Sequence, residues 1–243
     1  MNPPRAMIDE ITTRWPMIHD PGQFVLRYAP AIEGYLRAIV RDPEQVEDIR
    51  QDFLLHILQK GFLSADNLKG RFRNYLKAAV RNAAISHLRR KTHGQADPEA
   101  LAQVADAPEE SPADQEWLGQ WRRCMLDRVW EALELHERQK ADNHAHTVLR
   151  IYVDHHAQED SEAMAERAAT RLKKPLRAEA FRKQLSRARR LFAKFLVQEV
   201  VQTIESPTPD RIEEELVEVG LLADVTPYLP EDWRTQLASS DGG

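Results

Sequence analysis

The stretch KGRFRNYLKAAVRNAAISHLRRK, residues 69–91, decides how the rest of the chain is read. It carries Lys69, Arg71, Arg73, Lys77, Arg81, Arg89, Arg90 and Lys91 and no acidic residue, in a chain whose formal net charge is -5. At helical spacing Lys69, Arg73, Lys77 and Arg81 recur every four residues as one basic stripe, beside an apolar face of Phe72, Leu76, Ala79, Val80 and Ala83. Phe72 and Tyr75 lie at the margin of that stripe. A cationic helix face edged by aromatic rings suits a single nucleic-acid strand, whose phosphates meet the cations while unpaired bases stack on the rings. The same pattern also describes a solvated basic helix whose aromatics are core.

Outward from this stretch, composition sets the class. The 243 residues suffice for one large or two small domains, and 9 Gly among long runs of Ala, Leu, Glu and Arg predict an all-α protein. Cys124 is the single cysteine, which excludes an internal disulfide. With no apolar signal core at the start and no run long enough for a bilayer, a reducing, cytoplasmic setting without membrane insertion is expected. The mildly acidic total conceals a segregation of charge. Residues 92–120 contain acids and no Lys or Arg, residues 171–194 have Glu179 as their one acid, and the chain beyond residue 195 is strongly acidic. Two basic blocks, an acidic spacer and an acidic tail describe two binding modules on a tether.

The amino-terminal half reads as helices. Asp20-Pro21 is a start signal for a stripe of Phe24, Tyr28, Ile32, Tyr35 or Leu36, and Ile39, within which Pro30 is expected to kink or split the helix. Asp42-Pro43 repeats the signal, with Gln45 placed for a capping box and Gly61 as C-cap. Val46, Ile49, Phe53 and Ile57 form the inner face of this second helix, and Glu47, Asp48, Gln51 and Asp52 form an acidic patch elsewhere on it. Residues 92–113, rich in Pro, Ala, Asp and Glu, read as a linker, so that residues 1–91 form one domain.

A second module is expected over residues 114–200. Trp117, Trp121, Met125, Val129 or Trp130, and Leu133 mark its first helix, and residues 148–153 begin another. Residues 161–172, a break at KKPLR, and a helix from Ala178 give helix, turn, basic helix, the geometry of a helix-turn-helix that places its second helix in a major groove. Met164, Ala165, Ala168 and Leu172 face inward from the first of the pair; Phe181, Leu185, Ala188, Phe192 and Phe195 do so from the second. Glu179, Arg182, Lys183, Ser186, Arg187 and Arg190 occupy the opposite face of the second helix. His144, His146, His155 and His156 lack a zinc-site spacing, and no second cysteine exists to join them. Residues 201–243 form an acidic extension in which Ile212, Leu216 and Val219 face inward from an amphipathic helix. Glu213, Glu214, Glu215 and Glu218 oppose the basic helix in charge, which permits a fold-back restraint on DNA binding, but a solvated helix stabilising the second domain is the plainer expectation.

The ordered pair of basic helices resembles a known family. VEDIRQDFLLHILQKG followed by GRFRNYLKAAVRNAAISHLRR is similar to the second conserved region of bacterial RNA polymerase sigma factors, especially the small extracytoplasmic-function (ECF) group. The segment containing AFRKQLSRARRLF is similar to their fourth conserved region. The resemblance covers roughly residues 24–91 and 126–200, with the acidic linker where this group lacks the intervening domain of larger sigma factors. The run 136–160 is longer than the compact family pattern, and the extension after residue 200 lies outside it.

The resemblance implies roles. Asp48, Gln51 and Asp52, in EDIRQDF, would dock on the clamp helices of the polymerase's largest subunit. The basic helix would capture the non-template strand at the minus-ten element, with Arg73, Lys77 and Arg81 toward phosphates, Asn82 and Ser86 toward base edges, and Arg71 and Tyr75 also binding the DNA. Arg182, Lys183, Ser186, Arg187 and Arg190 would face duplex at the minus-thirty-five element. The implied partners are core RNA polymerase and promoter DNA; whether an anti-sigma regulator also exists stays open. No Gly-rich phosphate loop, nucleophile motif or metal constellation is present in the sequence, so neither catalysis nor a cofactor is expected. The alternatives are a stand-alone helix-turn-helix regulator and an RNA-binding helical adaptor.

Overall fold

The computed structural model describes residues 21–60, 71–91, 111–140, 142–204 and 206–234. They form helices α1 (Pro21–Ile39), α2 (Pro43–Lys60), α3 (Phe72–Lys91), α4 (Pro112–Gln139), α5 (Ala145–His155), α6 (Ser161–Leu172), α7 (Ala178–Val201), α8 (Pro209–Glu218) and the short α9 (Leu222–Val225), which runs into a 3-10 turn. The expected all-α class holds, with no strand among the described residues. The start signal at Asp20, the cap at Gly61 and residues 92–110 of the expected linker lie outside the described residues.

The chain divides into two compact units. One contains α1, α2, α3, the first half of α4 and the segment Gln202–Pro207; the other contains Met125–Val201 and the chain from Thr208 onward. The second module was expected from residue 114, yet Trp117 and Trp121 belong with the first unit. Burial accounts for this: both indoles are buried and pack on rings of α1 and α3. Trp121 stacks on Tyr28 with centroids 4.8 Å apart and 8° between planes, and Phe72 lies 6.2 Å from Trp121 and 5.6 Å from Tyr28. Trp117 meets Tyr35 edge-on at 5.5 Å.

Local signals explain most of this unit. Phe24, Tyr28, Ile32, Leu36 and Ile39 of α1 and Val46, Ile49, Phe53 and Ile57 of α2 are buried as their spacing predicts. Asp42 caps α2, accepting from the Glu44 amide at 2.9 Å, but Gln45 closes the box onto the Asp42 carboxylate at 2.8 Å. Of the two outcomes expected at Pro30, the split does not occur: α1 is one helix through it. The carbonyl that Pro30 leaves without its helical donor is that of Leu26, and both residues lie on the solvent side, where a carbonyl is not stranded in an apolar core.

In the second unit, Leu133, Val148, Leu149, Ile151, Met164, Ala168, Phe181, Leu185 and Ala188 form one cluster from α4, α5, α6 and α7. Leu172, Phe192 and Phe195 are only partly buried. Asp160 caps α6 by accepting from Glu162 and Ala163, and α6 ends at Lys173 in the left-handed region, φ 53°. The extension packs on α7 through α8, with Ile212, Leu216 and Val219 fully buried, in line with the plainer expectation of a helix supporting its domain. Gly220, φ 69°, then reverses the chain so that the Leu221 amide reaches the Leu216 carbonyl at 2.8 Å. Glu213 pairs with Arg234 of the same extension.

Lys173 holds a position where a Cβ is disfavoured. Lys173→Gly is expected to raise unfolding stability by about 0.5–1 kcal/mol, read from chemical denaturation.

Candidate nucleic-acid and polymerase interfaces

On α2, burial of Val46, Ile49, Phe53 and Ile57 turns Asp48, Gln51 and Asp52 to solvent together. Their neighbours hold them in different ways. Arg50 donates to both oxygens of Glu47, at 2.6 and 2.9 Å, and Gln51 donates to the same carboxylate at 2.5 Å. These donors hold Glu47 well below the usual carboxylate range, at about 2. Asp52 lies 3.6 Å from His87 Nδ1 and 3.8 Å from Arg90 Nη2, so it sits beside the carboxyl end of α3. Leu55 and Leu58 continue this outer face at 52% and 49% exposure. Sequence reasoning passed over both leucines, although their absence from the inner stripe was a signal that they faced outward.

Helix α3 is rotated relative to its expected orientation. Its buried arc is Phe72, Leu76, Val80, Ala84 and Leu88, with Ala79 and Ala83 only partly covered. Steps of four drift around a helix of 3.6 residues per turn, so the arc sweeps over the position of Arg73. Arg73 is accordingly 7% exposed and does not stand on an open phosphate-facing stripe. Lys77 is half-buried and donates to Asp114 at 3.0 Å. Burial raises the Asp114 pKa, but Lys77 and the Ser111 donors outweigh it and bring the carboxyl below its ordinary value. Arg71 and Arg81 are partly buried, Phe72 is core, and Tyr75 is partly buried with its phenol pushed up by desolvation. Asn82 and Ser86 are exposed as expected, in company with Asn74, Ala78, Arg89 and Arg90. The outer face of α3 is therefore mostly neutral and polar, with exposed cations near its carboxyl end.

On α7, burial of Phe181, Leu185 and Ala188 leaves Arg182, Lys183, Ser186, Arg187 and Arg190 exposed on one face, which gathers all five expected residues. Lys183 is bridged to Glu179 at 2.7 Å. Arg189 is held between rings, 4.2 Å from the Tyr152 centroid and 5.4 Å from that of Tyr228, fixing α7 against α5 and the extension. A cavity of about 430 Å³ beside Arg187 and Gln184 is also lined by Lys140, Asp142, Asn143 and His144, four polar side chains that α7 periodicity alone did not reveal.

The Glu47 carboxyl gives a pH test. Its folded pKa lies below the unfolded value of 4.5, so its contribution to stability is present above 4.5 and lost as pH falls through about 2. Glu47→Gln is expected to show a smaller loss of stability over that acid window, measured by denaturant titration at several pH values.

Residues 24–94 match the family model for sigma-70 region 2, a span that takes in nearly all of α1 and the whole of α2 and α3. Comparisons with curated proteins and with solved structures gave no match. Among the described residues no helix is long and apolar enough to cross a membrane. The match supports a sigma-factor role in promoter recognition with RNA polymerase.

Proposed function

We propose that this protein is a sigma factor of the ECF type, which binds core RNA polymerase and directs promoter recognition and strand opening. The observation that carries the reading is the match of residues 24–94 to sigma-70 region 2, over helices whose outward residues suit two different partners. On α2, Asp48, Gln51 and Asp52 offer acceptors to basic groups of the polymerase, and exposed Leu55 and Leu58 add apolar area to the same face. On α3, Asn82 and Ser86 present hydrogen-bonding groups to unpaired base edges, while Arg89 and Arg90 meet phosphates.

The second unit serves duplex DNA in this reading. α6 and α7 act as a helix-turn-helix, and the exposed side of α7 enters the major groove of the minus-thirty-five element. Arg182 and Arg187 offer paired donors to guanine, whereas Lys183 and Arg190 serve phosphate. Melting needs no covalent chemistry in the protein: tighter binding to the separated strand than to the duplex shifts the promoter toward the open state. The setting follows that of polymerase and promoter, which is cytoplasmic.

Binding to purified core RNA polymerase tests the reading. The folded double variant Asp48→Ala, Asp52→Ala is expected to bind more weakly than the unsubstituted protein; no binding by the well-folded protein, with the extension also removed, would transfer the reading to a stand-alone DNA-binding regulator. Arg182→Ala is expected to cost about 1–3 kcal/mol in duplex binding and to relax preference at one base position. A uniform loss on all duplexes, measured by competition binding, would assign Arg182 to phosphate.

A further inference from the structure

Helix α3 begins at Phe72. Its first-turn amides at Asn74 and Tyr75 donate to the Arg71 carbonyl, at 3.1 and 3.3 Å, so Arg71 stands at the N-cap position. Arginine has no acceptor with which to satisfy the amides of the first turn. The acceptor comes from the far end of the chain: the Phe72 amide donates to the Thr203 carbonyl at 3.1 Å, and Arg71 forms an antiparallel bridge with Ile204. Thr203 is 1% exposed and Ile204 3%, so this is a buried, built contact. Gln202–Pro207 accordingly belongs to the unit of α1, α2 and α3, although the chain on both sides of it belongs to the other unit. Ser206, φ 52°, lies in the left-handed region just beyond the contact.

We propose that Thr203 and Ile204 are positioning residues for strand capture: the segment that follows α7 fixes the first turn of α3, and with it the placement of Arg71, Tyr75 and the base-facing line through Asn82 and Ser86. The inference rests on the sigma-factor reading and deepens it, because a part of the chain outside the matched span completes the unit that carries the match. Two consequences follow from the chemistry. The Thr203 carbonyl accepts from the Phe72 amide in the first turn, and the buried Ile204 side chain holds the segment in register against that turn.

The test uses full-length protein assembled with core polymerase and a fluorescent single-stranded oligodeoxynucleotide pool of random sequence. Ile204→Ser is expected to weaken strand binding by about tenfold through lost pre-organisation of α3, with core polymerase binding unchanged and Ile204→Val restoring the strand affinity. Unchanged strand affinity in Ile204→Ser overturns the proposal, and tighter binding overturns it in favour of masking by the segment. Should Ile204→Ser not fold, Ile204→Ala takes its place with the same expectations. Hydrogen exchange on the unsubstituted free protein supplies a reading that needs no polymerase: the Phe72 amide is expected to be protected to the level of the Leu76 and Val80 amides, and exchange at the rate of an open amide overturns the proposal. A protein that fails to bind polymerase but protects Phe72 would refute the sigma-factor reading and leave the structural contact standing.

Discussion

The structure of the first unit depends on the stack of Tyr28 and Trp121, with Phe72 set against both. One ring comes from α1, one from α3 and one from α4, so a single aromatic contact sets the spacing of three helices. Each ring buries a large area, and well-arranged aromatic pairs add about 0.5–1.5 kcal/mol beyond that burial. The orientation of α3 follows from it. Once Phe72 turns inward, Leu76, Val80, Ala84 and Leu88 follow, and Arg73 is carried into the covered arc while Asn82 and Ser86 turn out. The same constraint brings the carboxyl end of α3 to Asp52 on α2, so the acidic face and the end of the basic helix share an ion-pair contact.

What was legible in the sequence depended on the size of the side chains carrying each pattern. On α2, Val46, Ile49, Phe53 and Ile57 at helical spacing marked the inner face, and the outward placement of Asp48, Gln51 and Asp52 followed. The boundaries of α6 and the start of α7 were equally plain, because a capping Asp160 and Pro175 bracket strong apolar stripes. On α3 the reading gave weight to Ala79 and Ala83 and omitted Leu88; an alanine contributes little to the choice of face, and the larger leucine decided it. Charge alternating with alanine therefore suggested a more open basic stripe than the fold allows.

Long-range partners were the part that no local pattern could supply. Trp117 and Trp121 were read as marking a helix, but their spacing says nothing about which helices cover them. Nor does any side-chain motif announce that Thr203 will offer its carbonyl to Phe72, since a backbone contact leaves no mark in composition or period. Pro30 shows the converse: a strong local rule for breaking helices yields where the unbonded carbonyl faces water and Tyr28, Ile32 and Tyr35 anchor the helix on either side.

The most direct measurement of the central claim is permanganate reactivity of unpaired thymines on a library of promoter fragments, with core RNA polymerase alone, this protein alone, and both together. The account predicts a short melted stretch at a fixed distance upstream of new transcript starts when both are present, and none with either alone. A duplex footprint by the protein alone, unaltered by polymerase and without reactive thymines, would contradict it.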